Sequence, residues 1–122
     1  MKVVAVALIL LALSLGAVIA NSIILNSIID EISDEVERTK EEDLNEALER
    51  YKDIYSLYQR RATYISLTTD HEDLTNIEEC FSEIIGAAKA NDKASLIIKK
   101  SRLIDALRHL KRLSGINIES IF

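Results

Sequence analysis

Six ionisable side chains crowd into the run TTDHEDLTNIEE at residues 68–79: Asp70, His71, Glu72, Asp73, Glu78 and Glu79. Carboxylates beside an imidazole are the groups that bind zinc or move protons. A second imidazole could come only from His109, the other histidine of the chain. Together His71, His109, Asp70 and Asp73 would make a metal or small-ligand site of an extracytoplasmic sensor. The spacing adds little to that reading. His71-Glu72 begins like a zinc-protease helix, but the position four after His71 is Thr75, where that helix needs its second histidine. Cys80 is the single cysteine, which excludes an intrachain disulfide and a cysteine-based metal cluster and suits a small buried apolar role. No glycine-rich phosphate loop, nucleophile elbow or paired Cys/His signature is present, so the sequence predicts no cofactor, no catalytic residue and a protein that is not an enzyme.

A structural reading accounts for more of these residues. Asp70 or Asp73 can cap a helix, and carboxylates in a first turn complement its dipole. His109 would sit near the negative end of a later helix, where a His–Asp hydrogen bond could lock the corner. On this reading Asp70, His71, Asn76, Glu78 and His109 form a structural corner.

The elements that would position the corner are helices. The chain has no proline and three glycines, so little opposes long helices. Residues 3–20, VVAVALILLALSLGAVIA, carry no charge and one polar side chain, Ser14. As a helix they span about 27 Å, close to the thickness of a bilayer core. A cleaved signal ending at Ala20 is the rival, but the apolar run exceeds the usual signal core. We expect residues 1–25 to be a retained membrane anchor and residues 26–122 a helical body. Lys2 precedes the span and five carboxylates follow it by residue 37, favouring an inside amino terminus and an extracytoplasmic body in the cell membrane.

Beyond the anchor, Ile24, Ile28, Ile32 and Val36 continue the first helix at four-residue spacing. Asp43 and Glu46 resemble a capping box opening a second helix. Its seam would run through Leu44, Leu48, Tyr51, Tyr55, Tyr58, Ala62 and Ile65, with a second line through Ala47, Ile54, Leu57 and Tyr64. A third helix carries Leu74, Ile77, Phe81, Ile84, Ile85 and Ala88, and its GAAKA run (86–90) would admit a close neighbour. Asn91-Asp92 makes a turn and cap. A fourth carries Leu96, Ile97, Leu103, Ile104, Leu107 and Leu110, with Ser114-Gly115 as its stop. The fold class is therefore all-α: an N-terminal transmembrane helix continuing into an antiparallel three- to four-helix bundle.

Charge is unevenly placed. Residues 21–92 hold 7 Lys/Arg against 18 Asp/Glu, whereas residues 93–112 hold 7 basic side chains against Asp105 alone. Such a split fits an acidic face pairing with a basic helix inside one bundle, or a basic surface facing a polyanion. Alternating helix directions would bring Arg60, Arg61, Arg108, Lys111 and Arg112 near lipid headgroups. Nucleic acid is not an expected partner, because the basic helix lacks a recognised binding motif.

At these residues the chain resembles domain-of-unknown-function family 4363, short Gram-positive bacterial proteins with one N-terminal hydrophobic segment and a helical remainder. The resemblance covers the whole chain and rests on Asp70-His71 followed by Asn76-Ile77-Glu78, on Asn91-Asp92, on His109-Leu110 and on the ending Ile121-Phe122. Members usually carry tryptophan in the second helix, where this chain has Leu44 and tyrosines. The resemblance implies no established activity. It does suit an accessory subunit, since members are often encoded beside a multi-spanning membrane protein. The expected partners are membrane lipid through the N-terminal helix and either a membrane protein or a second copy of the chain.

Overall fold

The computed structural model describes the backbone of residues 1–67 and 69–119, and within them the side chains as far as Leu113. The apolar ending read at Ile121-Phe122 lies outside the described residues. Four helices make up the described chain: α1 (Lys2–Arg38), α2 (Leu44–Ser66), α3 (His71–Lys89) and α4 (Lys93–Glu119). Consecutive helices pack antiparallel and α4 closes the ring against α1, so the bundle is all-α and four-membered.

In α1 the buried residues are Ser22, Leu25, Ile29, Ile32 and Val36, separated by alternating steps of three and four. The expected line of fours is corrected here. Ile24 is exposed and Ile28 only half-buried. Each step of four drifts about 40° around a helix, whereas alternating three and four holds one face toward its neighbours. Thr39 ends the helix with extended backbone, and its hydroxyl donates to the Glu35 carbonyl at 2.8 Å.

The Asp43 side chain accepts from the amides of Asn45 and Glu46 and so opens α2. The deepest side chains of α2 are Ala47, Tyr51, Ile54, Tyr58 and Ile65, drawn from both predicted lines, with Leu44, Leu48, Tyr55, Leu57 and Ala62 packed beside them. One wide stripe, not two separate seams, serves the two flanking helices. In α3 the Phe81 ring lies 5.1 Å from that of Tyr55 and 5.6 Å from that of Tyr58, centre to centre. Cys80 is buried beside it, as its lone apolar reading required.

The α3–α4 turn is a Schellman motif. Asn91 takes a left-handed φ of 56°, its amide donates to the Ala88 carbonyl, and the Asp92 amide donates to that of Ala87 at 2.9 Å. Asp92 then caps α4 by accepting from the Ser95 amide. Two expectations fail in α4. Ile97 is exposed, the inward positions being Leu96, Leu103, Leu107 and Leu110. Ser114-Gly115 does not stop the helix, which runs on to Glu119. A helical glycine costs about 1 kcal/mol, but it keeps its N–H and breaks nothing unless the backbone turns left-handed.

Ala87 and Ala88 supply the close-packing part of the small-residue run. Gly86 does not, because a methyl group there would meet nothing within 4 Å. Gly86→Ala should therefore stabilise the protein by about 0.5–1 kcal/mol, the helical penalty of glycine. Denaturant titration followed by circular dichroism checks this.

Candidate functional site

The α2–α3 corner is built from caps. Asp70 accepts from the Glu72 amide at 3.3 Å through its side chain and from the Leu74 amide through its carbonyl. Glu72 and Asp73 occupy the first turn, where negative charge complements the exposed amides. His71 contributes its carbonyl to the Thr75 hydroxyl at 3.0 Å. Asn76 and Glu78 lie exposed on α3.

The structure brings His109 and Asp73 together, Nε2 to Oδ1 at 3.8 Å, across the α3–α4 contact. That distance is beyond a hydrogen bond and makes an ion pair only with a protonated imidazole. Among the described residues no three of His, Cys, Asp or Glu converge on one point as a metal ion would need. Of the predicted set of His71, His109, Asp70 and Asp73, the structure pairs His109 with Asp73, and Asp70 acts as a helix cap.

The charge asymmetry is met largely within the bundle. On α4, Lys111 reaches Asp30 at 2.7 Å and Arg108 lies 3.9 Å from Glu37. Lys99 and Arg102 share Glu83, at 2.8 and 3.2 Å. The Lys99 hydrogen bond leads in holding the Glu83 carboxyl below its usual range. Arg61 lies 4.0 Å from Glu31. These contacts revise the picture of a basic base: Arg61, Arg108 and Lys111 each face a carboxylate on α1. Such exposed pairs add about 0–1 kcal/mol each, so they select helix partners more than they stabilise them.

Lys100 is different. It is 16% exposed and donates to the Thr39 carbonyl at 2.7 Å and to Glu41 at 2.6 Å, tying α4 to the α1–α2 connection. Beside this clamp the Tyr51 hydroxyl is buried and finds no hydrogen-bond partner among the described residues. Burial pushes its pKa up, and the nearby Glu41 carboxylate adds to the rise. An unsatisfied buried hydroxyl carries a desolvation cost of about 1–3 kcal/mol. Tyr51→Phe removes that hydroxyl and keeps the ring, so its stability should equal or exceed that of the parent by up to about 1 kcal/mol. A lower denaturation midpoint for this variant would reveal a hidden partner of the hydroxyl.

A surface depression of about 580 Å³ lies along α1, lined among others by Ile23, Asn26, Asp30, Glu31 and Asp34. It is open to solvent, and three of its carboxylates already face Lys111, Arg61 and Arg38. It is an open groove and not an enclosed cavity, and it presents no unpaired acid–base couple.

The remaining feature is the first half of α1. Its most apolar 18-residue window has a mean hydropathy of 2.9, and none of that window is buried in the bundle. A helix satisfies its own backbone hydrogen bonds, which is what hydrocarbon demands of anything that enters it. At 37 residues α1 is about 55 Å long, enough for a bilayer crossing followed by a bundle helix. The described chain is thus a small all-α helical-bundle protein with one N-terminal helix long and apolar enough to span a membrane. No family model, curated protein or solved structure matches the chain.

Sequence reasoning missed one contact at the boundary between these halves. The Tyr64 hydroxyl donates to the Asn21 side-chain oxygen at 2.5 Å, joining α2 to the first polar residue after the apolar run. The signal was present, since Asn21 is an isolated amide at the end of eighteen apolar-rich positions and Tyr64 sits at the end of α2. Its partner could not be read without the helix packing.

Proposed function

We propose that this chain is a single-pass membrane protein whose extracytoplasmic bundle works by contact, as a non-enzymatic accessory subunit of a membrane protein or as an assembly of its own copies. The observation that carries the reading is the division of α1: its first half is apolar with none of its residues buried among the described residues, and its second half is a wall of the bundle without a break between. A span continuous with a packed helix holds the body at a fixed height and tilt, as a docking part requires. The internal pairing of the basic helix argues against polyanion binding as the main task. The resemblance to domain-of-unknown-function family 4363, with its accessory role, belongs to the same proposal.

Crosslinking in native membranes, followed by purification in mild detergent, tests it. A defined higher-mass species containing this chain is the expected result. A chain recovered only as monomer under efficient crosslinking, or released into the medium cut after Ala20, would remove the proposal. Protease added to intact cells tests orientation: digestion of the bundle is expected, and protection would reverse it.

A further inference from the structure

We infer that the α2–α3 corner is a second membrane contact, seated in the lipid interface through Leu67. The inference rests on the anchor reading above and adds a named docking point with bilayer lipid as its occupant.

The height of the corner follows from one hydrogen bond. Tyr64 is tied to Asn21, which ends the apolar run of α1. Side chains in a helix lean toward its N-terminus. The antiparallel pair therefore puts the Tyr64 backbone on the membrane side of that bond and the Asn21 backbone on the far side. Leu67 continues α2 with helical backbone angles, φ −65° and ψ −28°. It lies three residues further down, about 4.5 Å at the helical rise. That is the depth of the last residues of the apolar span.

Leu67 is 75% exposed, although the bundle buries most of its other leucines beyond the anchor. Nothing in the described protein covers it, and the exposed apolar surface of α1 runs past this level to Ile23 and Ile24. Residues 60, 64 and 67 share one face of α2 at seven- and three-residue spacing. Down that face come Arg60, then Tyr64, then Leu67: a cation, an interfacial aromatic and an aliphatic side chain. This is the order in which a bilayer presents phosphate, interface and hydrocarbon. The carboxylates of Asp70 and Glu72 cap and flank the corner, so it rests shallowly, with Leu67 as the inserted side chain. The contact is apolar in origin, since Arg61, Arg108 and Lys111 are already engaged with carboxylates.

The chain has no tryptophan, so single-tryptophan variants report depth without interference. The full chain is reconstituted into phosphatidylcholine vesicles whose acyl chains carry bromine quenchers, as Leu67→Trp, Leu10→Trp and Ile98→Trp. Leu10 lies in the apolar span, and Ile98 is exposed near the start of α4, at the opposite end of the bundle. Expected are a blue-shifted, quenched Leu67→Trp emission, strong quenching of Leu10→Trp, and none of Ile98→Trp. Quenching of Leu10→Trp with a water-like, unquenched Leu67→Trp would overturn the corner contact and leave the anchor standing. Loss of quenching at both positions would remove the anchor reading and the inference with it. Quenching of Ile98→Trp as well would mean that the bundle lies flat on the lipid, which also overturns a corner-specific contact.

Discussion

Replacing Phe81 with alanine should lower the stability of the bundle by about 3–5 kcal/mol, the range for removing a fully buried aromatic ring. Phe81 is wholly buried, and its ring stacks on Tyr55 at an interplanar angle of 10° while Tyr58 tilts against it. The cost has two parts: lost transfer energy and a cavity that the packed helices close around only in part. Total stabilities of small domains run about 5–15 kcal/mol, so the variant stands near the edge of folding. Denaturant unfolding in detergent, followed by far-ultraviolet circular dichroism, gives the difference directly. A loss below about 1.5 kcal/mol would show that the site collapses freely and that the aromatic cluster is not the rigid centre of the α2–α3 contact.

Leu11→Arg should act on a different equilibrium. Leu11 is exposed near the middle of the apolar segment, so the substitution leaves the bundle core untouched. An arginine at the centre of a spanning helix costs about 2.5–3.5 kcal/mol on insertion scales. That corresponds to a shift on the order of a hundredfold toward the non-inserted form. Alkaline extraction of membranes reads it: the parent chain stays in the pellet and the variant appears in the supernatant. Ile98→Arg, on an exposed side chain near the start of α4, is the control and should leave the distribution unchanged. Equal extraction of the parent and Leu11→Arg chains would show that residues 3–20 do not hold the protein in the membrane.

The two experiments separate the halves of α1. A damaged core leaves insertion intact, and a damaged span leaves the bundle folded. The fold was largely legible because helix-forming signals are local. Asp43 and Asp92, and one of Asp70 and Asp73, were readable as caps because a short carboxylate before an apolar-periodic run has few other uses, and Asp43, Asp70 and Asp92 accept from amides two or three residues on. Where the reading slipped, neighbours decided. Ile24 and Ile97 are as apolar as Leu25 and Leu96, and only the rotation of each helix against its partners exposes the first pair and buries the second. Gly86 looked like a contact point by size, yet the neighbour it would admit lies against Ala87 and Ala88.

The candidate site divides the same way. Alternating helix directions placed two histidines and several carboxylates near one end of a bundle, but a metal site needs convergence to within a few ångströms, and sequence spacing across separate helices does not fix that. Tertiary packing chose His109 with Asp73 and gave Asp70 to a backbone amide. It also chose the partners of the basic helix, because ion pairs between helices depend on axial register, which no single segment contains. By itself the sequence determined four helices, their caps and an uncharged stretch that water disfavours, all properties of neighbouring residues. The tertiary structure alone decided which face each helix turns inward and which charges meet. It also decided that Leu67 stands bare beside the last residues of the apolar run, because depth and exposure are set by the helices packed together.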